Sequence, residues 1–372
     1  MSEPLTIAHI TAPAAFGGLE SVVHGLATGF GARGHDVHVV AVFDRGGPVT
    51  PLPLDGAPGV TQHVLEIPRR RYDRERAAVV ALCRKVGARI MHSHGYRSDV
   101  VDALAAGRAG CRSVTTVHGF TGGGRTNRLF EWLQLRSFRR VDAVVPVSRT
   151  LAGQLEARGV PTRRMHVIAN AWPGFAAAPL SPAEARRELG IPAGRPCIGW
   201  VGRLSAEKGI DVLLDALARL THGEWCAAVV GAGPMLAAAQ AQAGRLGIAD
   251  RLRWCGHVKD AARCYRAFDV FALTSRTEGT PIALFEAMAS GVPVVATRVG
   301  GVPDVVTERE AALVDSEAPA QVARALDGVL ATPEAAAERS RAAGARLAEA
   351  YGVAPWLDRY EALYRSLLGG RA

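Results

Sequence analysis

The chain has 372 residues, more than one hydrophobic core ordinarily serves, so its length favours two domains. Its 48% hydrophobic and 21% charged residues fit a soluble globular protein, and no apolar run is long enough to span a bilayer. The formal charge of +9 invites a polyanionic partner, yet arginine carries nearly all of it and lysine stands only at 85, 208 and 259, a bias that a GC-rich genome produces unaided; no nucleic-acid partner is expected.

At the start, Met1-Ser2-Glu3-Pro4 puts no basic region ahead of an apolar stretch, so residues 5–10 read as a buried strand rather than a signal peptide, and a cytoplasmic location follows. The six cysteines, at 83, 111, 197, 226, 255 and 264, fall at neither metal-ligand nor redox spacing and read as reduced structural residues. Strands are expected at 6–10, 36–42, 90–93, 113–117, 143–147 and 166–169, separated by Ala-rich helical stretches. After the first comes Phe16-Gly17-Gly18-Leu19-Glu20, whose glycines let the backbone approach a ligand. His92-Ser93-His94 tempts a metal reading, but no carboxylate stands nearby in sequence and a structural role is preferred. Thr116-Val117-His118-Gly119 places a histidine at a strand end; such a residue is more often structural than catalytic. Two basic clusters stand out, Arg69-Arg70-Arg71 with Arg74 and Arg76, and Arg136 with Arg139 and Arg140 behind Trp132, Leu133 and Leu135. Contact with an anionic membrane, peripheral at its inner face, and an ordinary solvated helix face are both open for them.

Residues 170–179 carry the Pro and Gly of a linker, and the domain boundary is placed there. A second strand series follows at 197–202, 226–231, 252–255, 270–273, 294–297 and 312–314, and a last helix covers 356–368. The fold class is therefore α/β, with two domains built on parallel sheets. Ligands of such sheets bind beyond the carboxyl ends of the strands, so a substrate is expected in a cleft that the two sheets face across.

Two motifs of the second series carry chemistry. In 199–209 a strand gives way to a glycine-flanked loop with Arg203 and Lys208 ahead of a helix, which suits a diphosphate; two solvated surface cations are the bland alternative. In 278–291, Thr280 is expected to cap a helix whose first position is Pro281 and whose stop is Gly291, with Glu278 just before it and Glu286 inside it. The N–H groups of Thr280 and Ile282 would face a ligand, and Glu286, set among apolar neighbours, needs a partner such as vicinal ribose hydroxyls. No Asp-x-Asp pair follows a strand, so no metal ion or other cofactor is expected on the diphosphate.

Together these motifs resemble the family 4 glycosyltransferases over nearly the whole chain. The stretch 275–297, followed by Val299-Gly300-Gly301-Val302-Pro303-Asp304, matches the family's two-glutamate signature. Gly202-Arg203, Glu207-Lys208-Gly209, Gly231-Ala232-Gly233-Pro234, Gly17-Gly18-Leu19-Glu20 and Thr116-Val117-His118-Gly119 fall at the corresponding places. The resemblance implies the GT-B fold of two Rossmann-like domains. An N-terminal acceptor-side domain would span 1–172, with a C-terminal helix at 355–369 packing back on it, and a nucleotide-sugar domain 173–354. It implies retention of anomeric configuration by same-face attack, with Arg203 and Lys208 on the diphosphate, Glu286 on the ribose, and Glu278 with the amides near Thr280 and Ile282 on the sugar. Main-chain atoms at His257 and Val258 would meet the base, UDP being one candidate nucleotide, and Gly17, Gly18 and His118 would reach the donor from the other domain. His118, Arg203, Lys208 and Glu278 are the catalytic set. A lipid-linked or polysaccharide glycan in biosynthesis is the expected acceptor, with a small molecule as the alternative. One departure is Ala169-Asn170-Ala171-Trp172-Pro173, where the family commonly shows Pro, Asn, Gly, Val, Asp. A nucleotide-sugar epimerase or hydrolase, or a non-catalytic sensor, could use the same diphosphate grip.

Overall fold

The computed structural model describes residues 3–13, 18–119, 125–175 and 177–369. The chain divides into two compact units, Met1–Ala171 with Val353–Ala372, and Trp172–Gly352.

In the first unit, β1 (Thr6–Thr11), β2 (Asp36–Asp44), β3 (Val60–Ile67), β4 (Ile90–His94), β5 (Arg112–Val117) and β6 (Ala143–Pro146) form one parallel sheet in the order β3-β2-β1-β4-β5-β6. Its helices are α1 (Gly18–Ala32), α2 (Tyr72–Lys85), α3 (Tyr96–Val101), α4 (Ala106–Ala109), α5 (Arg125–Phe138) and α6 (Arg149–Ala157). The second unit repeats the plan with β7 (Cys197–Val201), β8 (Cys226–Val230), β9 (Leu252–Gly256), β10 (Val270–Leu273), β11 (Val294–Thr297) and β12 (Ala312–Val314), ordered β12-β11-β10-β7-β8-β9 and again parallel. Around it lie α7 (Pro182–Leu189), α8 (Ile210–Leu217), α9 (Leu236–Arg245), α10 (Ile282–Ala289), α11 (Val302–Val305), α12 (Pro319–Ala331) and α13 (Pro333–Ala350), and α14 (Val353–Gly369) returns to the first unit. Both sheets reverse direction beside their first strand, between β1 and β4 and between β7 and β10. That is where an open α/β sheet leaves a crevice.

Central strands β8 and β10 are short apolar runs buried along their whole length, as helices on both faces demand, and β4 is equally buried although His92, Ser93 and His94 make up more than half of it. β3 escapes such a reading because it is an edge strand of mostly half-buried and exposed residues, held by β2 alone from Val37↔Val60 to Asp44↔Ile67. The strand expected at 166–169 does not form. Met165 bridges Val144, and the N–H groups of His166 and Ile168 donate to Val144 (2.9 Å) and Pro146 (3.2 Å). The return bond that would extend this ladder needs an N–H at residue 146, which is proline.

One core joins Trp200, Leu213, Leu217, Trp225, Val270 and Leu326 in the second unit. In the first, Ile7, Val23, Phe30, Val39 and Ile90 pack with Trp356, Leu357, Tyr360, Leu363 and Tyr364 of α14, each large side chain contributing about 1.5–3 kcal/mol on full burial.

Candidate functional site

In the second unit the loops that follow β7 and β10 meet. Lys208 ends a short 3-10 turn after β7, and its Nζ donates to both carboxylate oxygens of Glu278, at 2.7 and 2.9 Å. Ser275 Oγ donates to Glu278 Oε1 at 2.6 Å, and the glutamate side chain is only 6% exposed. A carboxylate so enclosed is tolerable because three bonds satisfy it. Two glycines bring the loops this close. Gly209 has φ +63, and a Cβ there would lie 2.0 Å from the Thr274 carbonyl oxygen; at Gly300, φ +52, it would lie 1.8 Å from that of Glu278. The Gly301 N–H donates to that same Glu278 oxygen at 3.2 Å.

Arg276 stitches the assembly from the outside. Its guanidinium donates to both oxygens of Asp211 (2.9 and 2.7 Å), to the Ala206 carbonyl (2.6 Å) and to Glu317, and its N–H to the Glu207 carbonyl (2.8 Å). Sequence reading gave Arg276 and Asp211 no role; a cation directly after a strand is the signal that could have found the first.

Glu286 sits half-buried on α10 and accepts a 2.7 Å bond from the Tyr265 hydroxyl. Burial pushes the Glu286 carboxyl up from its ordinary range, the tyrosine bond opposing, and Tyr265 is likewise held well above the usual phenol value by burial and by Glu286. Nothing in the sequence marks Tyr265, which comes from a 3-10 segment before β10. The helix start differs from expectation: Pro281 is the N-cap residue, extended at φ −74 and ψ 112, and α10 begins at Ile282. Thr280, buried, therefore precedes the cap instead of forming it.

The other expected donor-side residues are less tied. Arg203 is exposed and its side chain has no hydrogen-bond or ion-pair partner among the described residues. His257, exposed, and Val258, half-buried, follow β9, and no hydrogen bond joins them to the Lys208–Glu278 pair. Gly17 lies outside the described residues; Gly18 opens α1.

In the first unit, His118 follows β5, its ring stacked with that of His94 at 6.4 Å between centroids. Burial lowers its pKa to about 4, so it is neutral at physiological pH, and its Nε2 is enclosed without a hydrogen-bond partner among the described residues. His94 belongs to a group that sequence distance concealed: ring nitrogens of His9, His92 and His94 all lie within 4.8 Å of one another. Four of the six ring nitrogens are paired, while His9 Nε2 and His94 Nδ1 are buried with no hydrogen-bond partner among the described residues. His9 Nδ1 and His94 Nε2 share a hydrogen bond (3.1 Å), while His92 bonds the Tyr364 hydroxyl through Nδ1 (2.7 Å) and Thr116 Oγ1 through Nε2 (2.8 Å). Thr116 in turn meets the Tyr360 hydroxyl at 3.0 Å, so β4, β5 and α14 share one polar seam inside the core.

Two parallel sheets of Rossmann order, one carrying a cation and two glutamates in and beside the loops that follow its strands, define an α/β protein of two such units. The description "Glycosyl transferases group 1" matches residues 182–346 and "Glycosyltransferase Family 4" residues 16–172. The chain is 30% identical over 275 residues to a GDP-mannose-dependent α-(1-6)-phosphatidylinositol monomannoside mannosyltransferase of Mycolicibacterium smegmatis, covering 66% of this chain and 71% of that one. It is 33% identical over 182 residues to the lipopolysaccharide core biosynthesis mannosyltransferase LpsB of Rhizobium meliloti, covering 45% and 49% respectively. The chain spans about half the length of the curated relatives it matches at 33% to 36% identity. In fold it is similar to Anabaena HepE, solved in complex with UDP, with a TM-score of 0.83 at 21% identity over 97% of this chain and 100% of that one. The chain belongs to the family 4 glycosyltransferases, and its fold is GT-B.

Proposed function

We propose that this protein is a retaining glycosyltransferase that moves a sugar from a nucleotide diphosphate donor to a glycan, lipid-linked or small-molecule acceptor. The Lys208–Glu278–Ser275 cluster beyond β7 and β10, with Glu286 on the adjoining helix, carries this reading. A cation already paired to an enclosed carboxylate can turn to a diphosphate while the carboxylate turns to sugar hydroxyls. Each then exchanges one strong partner for another rather than for none.

In this scheme the unit around β7–β12 binds the donor and the unit around β1–β6, with α14, takes the acceptor. Arg203 and Lys208 neutralise the charge growing on the departing diphosphate, with no metal ion required, and Glu286 holds the ribose hydroxyls beside Tyr265. Glu278 with the amides of Thr280 and Ile282 holds the sugar, main-chain atoms of His257 and Val258 meet the base, and Gly17, Gly18 and neutral His118 complete the donor contacts. The acceptor hydroxyl attacks from the face that the phosphate leaves, and the phosphate takes its proton. HepE's complex with UDP and the GDP-mannose dependence of the mycobacterial relative make UDP and GDP the first nucleotides to try.

No helix among the described residues is long and apolar enough to cross a membrane. The basic clusters of the first unit fit a cytoplasmic enzyme that touches an anionic membrane peripherally. A thermal-shift screen of UDP, GDP, ADP and TDP tests the donor site, since a ligand at a hundredfold excess over its Kd stabilises by about 2.7 kcal/mol. Stabilisation by one of them and sugar transfer from its sugar conjugate are expected. Failure of all four, or rapid sugar release without any acceptor, would overturn the proposal.

A further inference from the structure

Among α2, α3 and α5 of the first unit lies a groove of about 450 Å³, walled by Tyr72, Tyr96, Val100, Val101, Phe130 and Leu133. That is within the ordinary size range of ligand pockets, about 300–1,000 Å³, and its wall is almost wholly hydrocarbon and aromatic. The one cation among the described residues of the wall, Arg97, has its charge spent. It donates to both oxygens of the fully buried Glu75 (2.8 to 3.0 Å) and to Asp44 (2.9 Å), and lies 5.9 Å over the Tyr72 ring. The groove interior thus offers an occupant apolar contact and almost nothing polar. At its mouth Tyr72 and Phe130 remain 41% and 39% exposed, and on another face of α5 Trp132 is 56% exposed under the guanidinium of Arg136, at 5.8 Å. Large apolar surface left in water on a folded protein marks an interaction site.

The charge next to Tyr72 along the chain says what kind. Arg69, Arg70 and Arg74 flank Tyr72 in sequence at the start of α2; all three are exposed and none has an ion-pair partner among the described residues. The acid between them, Asp73, is taken by Arg71 at 2.7 and 2.9 Å. An occupant that satisfies both surfaces has a hydrocarbon chain for the groove and a phosphate for the arginines.

We propose that this groove binds the hydrocarbon chain of a phosphate-bearing lipid, with the phosphate on Arg69, Arg70 and Arg74. On the transferase reading above, that lipid is the acceptor. The groove places chain recognition in the protein itself, which differs from adsorption of the basic face on a membrane, where no single chain need leave the bilayer.

Titration calorimetry of the purified protein with dodecyl phosphate below its micelle concentration tests this. Saturable binding with one lipid per chain is expected, with inorganic phosphate and dodecyl maltoside each binding at least tenfold more weakly. Val100→Phe, which fills the groove, and Leu133→Asp, which charges its wall, should each weaken dodecyl phosphate binding at least tenfold. Arg70→Glu/Arg74→Glu should do so without altering dodecyl maltoside binding. The nucleotide-induced thermal shift reports folding and the donor site, and it should stay at its wild-type value in every variant. Wild-type dodecyl phosphate affinity in both groove variants, or inorganic phosphate binding as tightly as the lipid, would overturn the proposal. Lipid binding without any nucleotide-induced shift would leave the groove standing and sink the donor reading instead.

Discussion

Removing the ammonium of Lys208 strips Glu278 of two of its three hydrogen bonds and leaves its charge, 6% exposed, with only the Ser275 hydroxyl. Breaking a buried pair from one side costs about 3–5 kcal/mol, but Lys208 is itself 29% exposed, so water will answer part of the loss and about 2 kcal/mol is the expectation for Lys208→Ala. In a unit of this size each kcal/mol moves the melting temperature by roughly 2–4 °C, so the transition of the second unit should fall by roughly 4–8 °C. Lys208→Met/Glu278→Gln, which removes both charges, should melt closer to wild type than Lys208→Ala does. Because the same ammonium is assigned to the diphosphate, Lys208→Ala should also lose most nucleotide-induced stabilisation and cut turnover about 10²–10³-fold, the usual cost of one donor to transition-state charge. Scanning calorimetry with and without nucleotide, beside a transfer assay, reads all of these. Unchanged melting together with an unchanged nucleotide shift would refute the reasoning, since it would mean that the pair neither supports the fold nor meets the donor.

Asp99 accepts from Ser93, Thr115 and Gln134 and is fully buried, and burial raises its pKa to about 6 against those three bonds. A raised carboxyl pKa means the folded state holds its proton longer. The contribution to stability is therefore complete below the unfolded value near 4 and lost as pH rises through about 6, by ~3 kcal/mol in all. Urea titrations at pH 4 to 7 should show that slope, and Asp99→Asn should flatten it; an unchanged slope would assign it elsewhere. Tyr364→Phe leaves His92 Nδ1 buried without its partner and should destabilise the first unit by about 1–3 kcal/mol while nucleotide binding holds, as calorimetry with nucleotide will check. Gly300→Ala, whose new methyl would meet the Glu278 carbonyl oxygen at 1.8 Å, should abolish nucleotide-induced stabilisation. Gly34→Ala, at φ +84 with nothing within 4 Å, should cost only the backbone strain of about 1 kcal/mol; equal behaviour of the two would show that the loop contact does not matter.

Short buried strands such as β7 and β10 are legible in sequence because they are apolar on both faces and end in glycine or polar turns. β3 is illegible because its pairing rests on backbone bonds to β2 under a surface that stays wet, and 166–169 misleads because the obstacle is a proline in its neighbour. At the candidate site, Lys208 and Glu278 are readable as charged residues near strand ends. Their pairing across 70 residues is not, because it depends on two glycines that matter only through what lies against them. Tyr265 and the His9–His92–His94 seam are invisible for the same reason: each partner looks ordinary until the fold closes the distance.

The return of α14 to the first unit sets an order for biosynthesis. Everything that the β7–β12 unit needs has been synthesised by residue 352, whereas the β1–β6 unit, though begun first, waits for Trp356, Leu357, Tyr360, Leu363 and Tyr364 to fill its core. The nascent chain thus carries an open hydrophobic trough along α1 through most of its translation, the state in which chaperones engage their clients. A nonsense mutation after residue 352 would spare every donor-side residue named above and still yield a chain prone to aggregation.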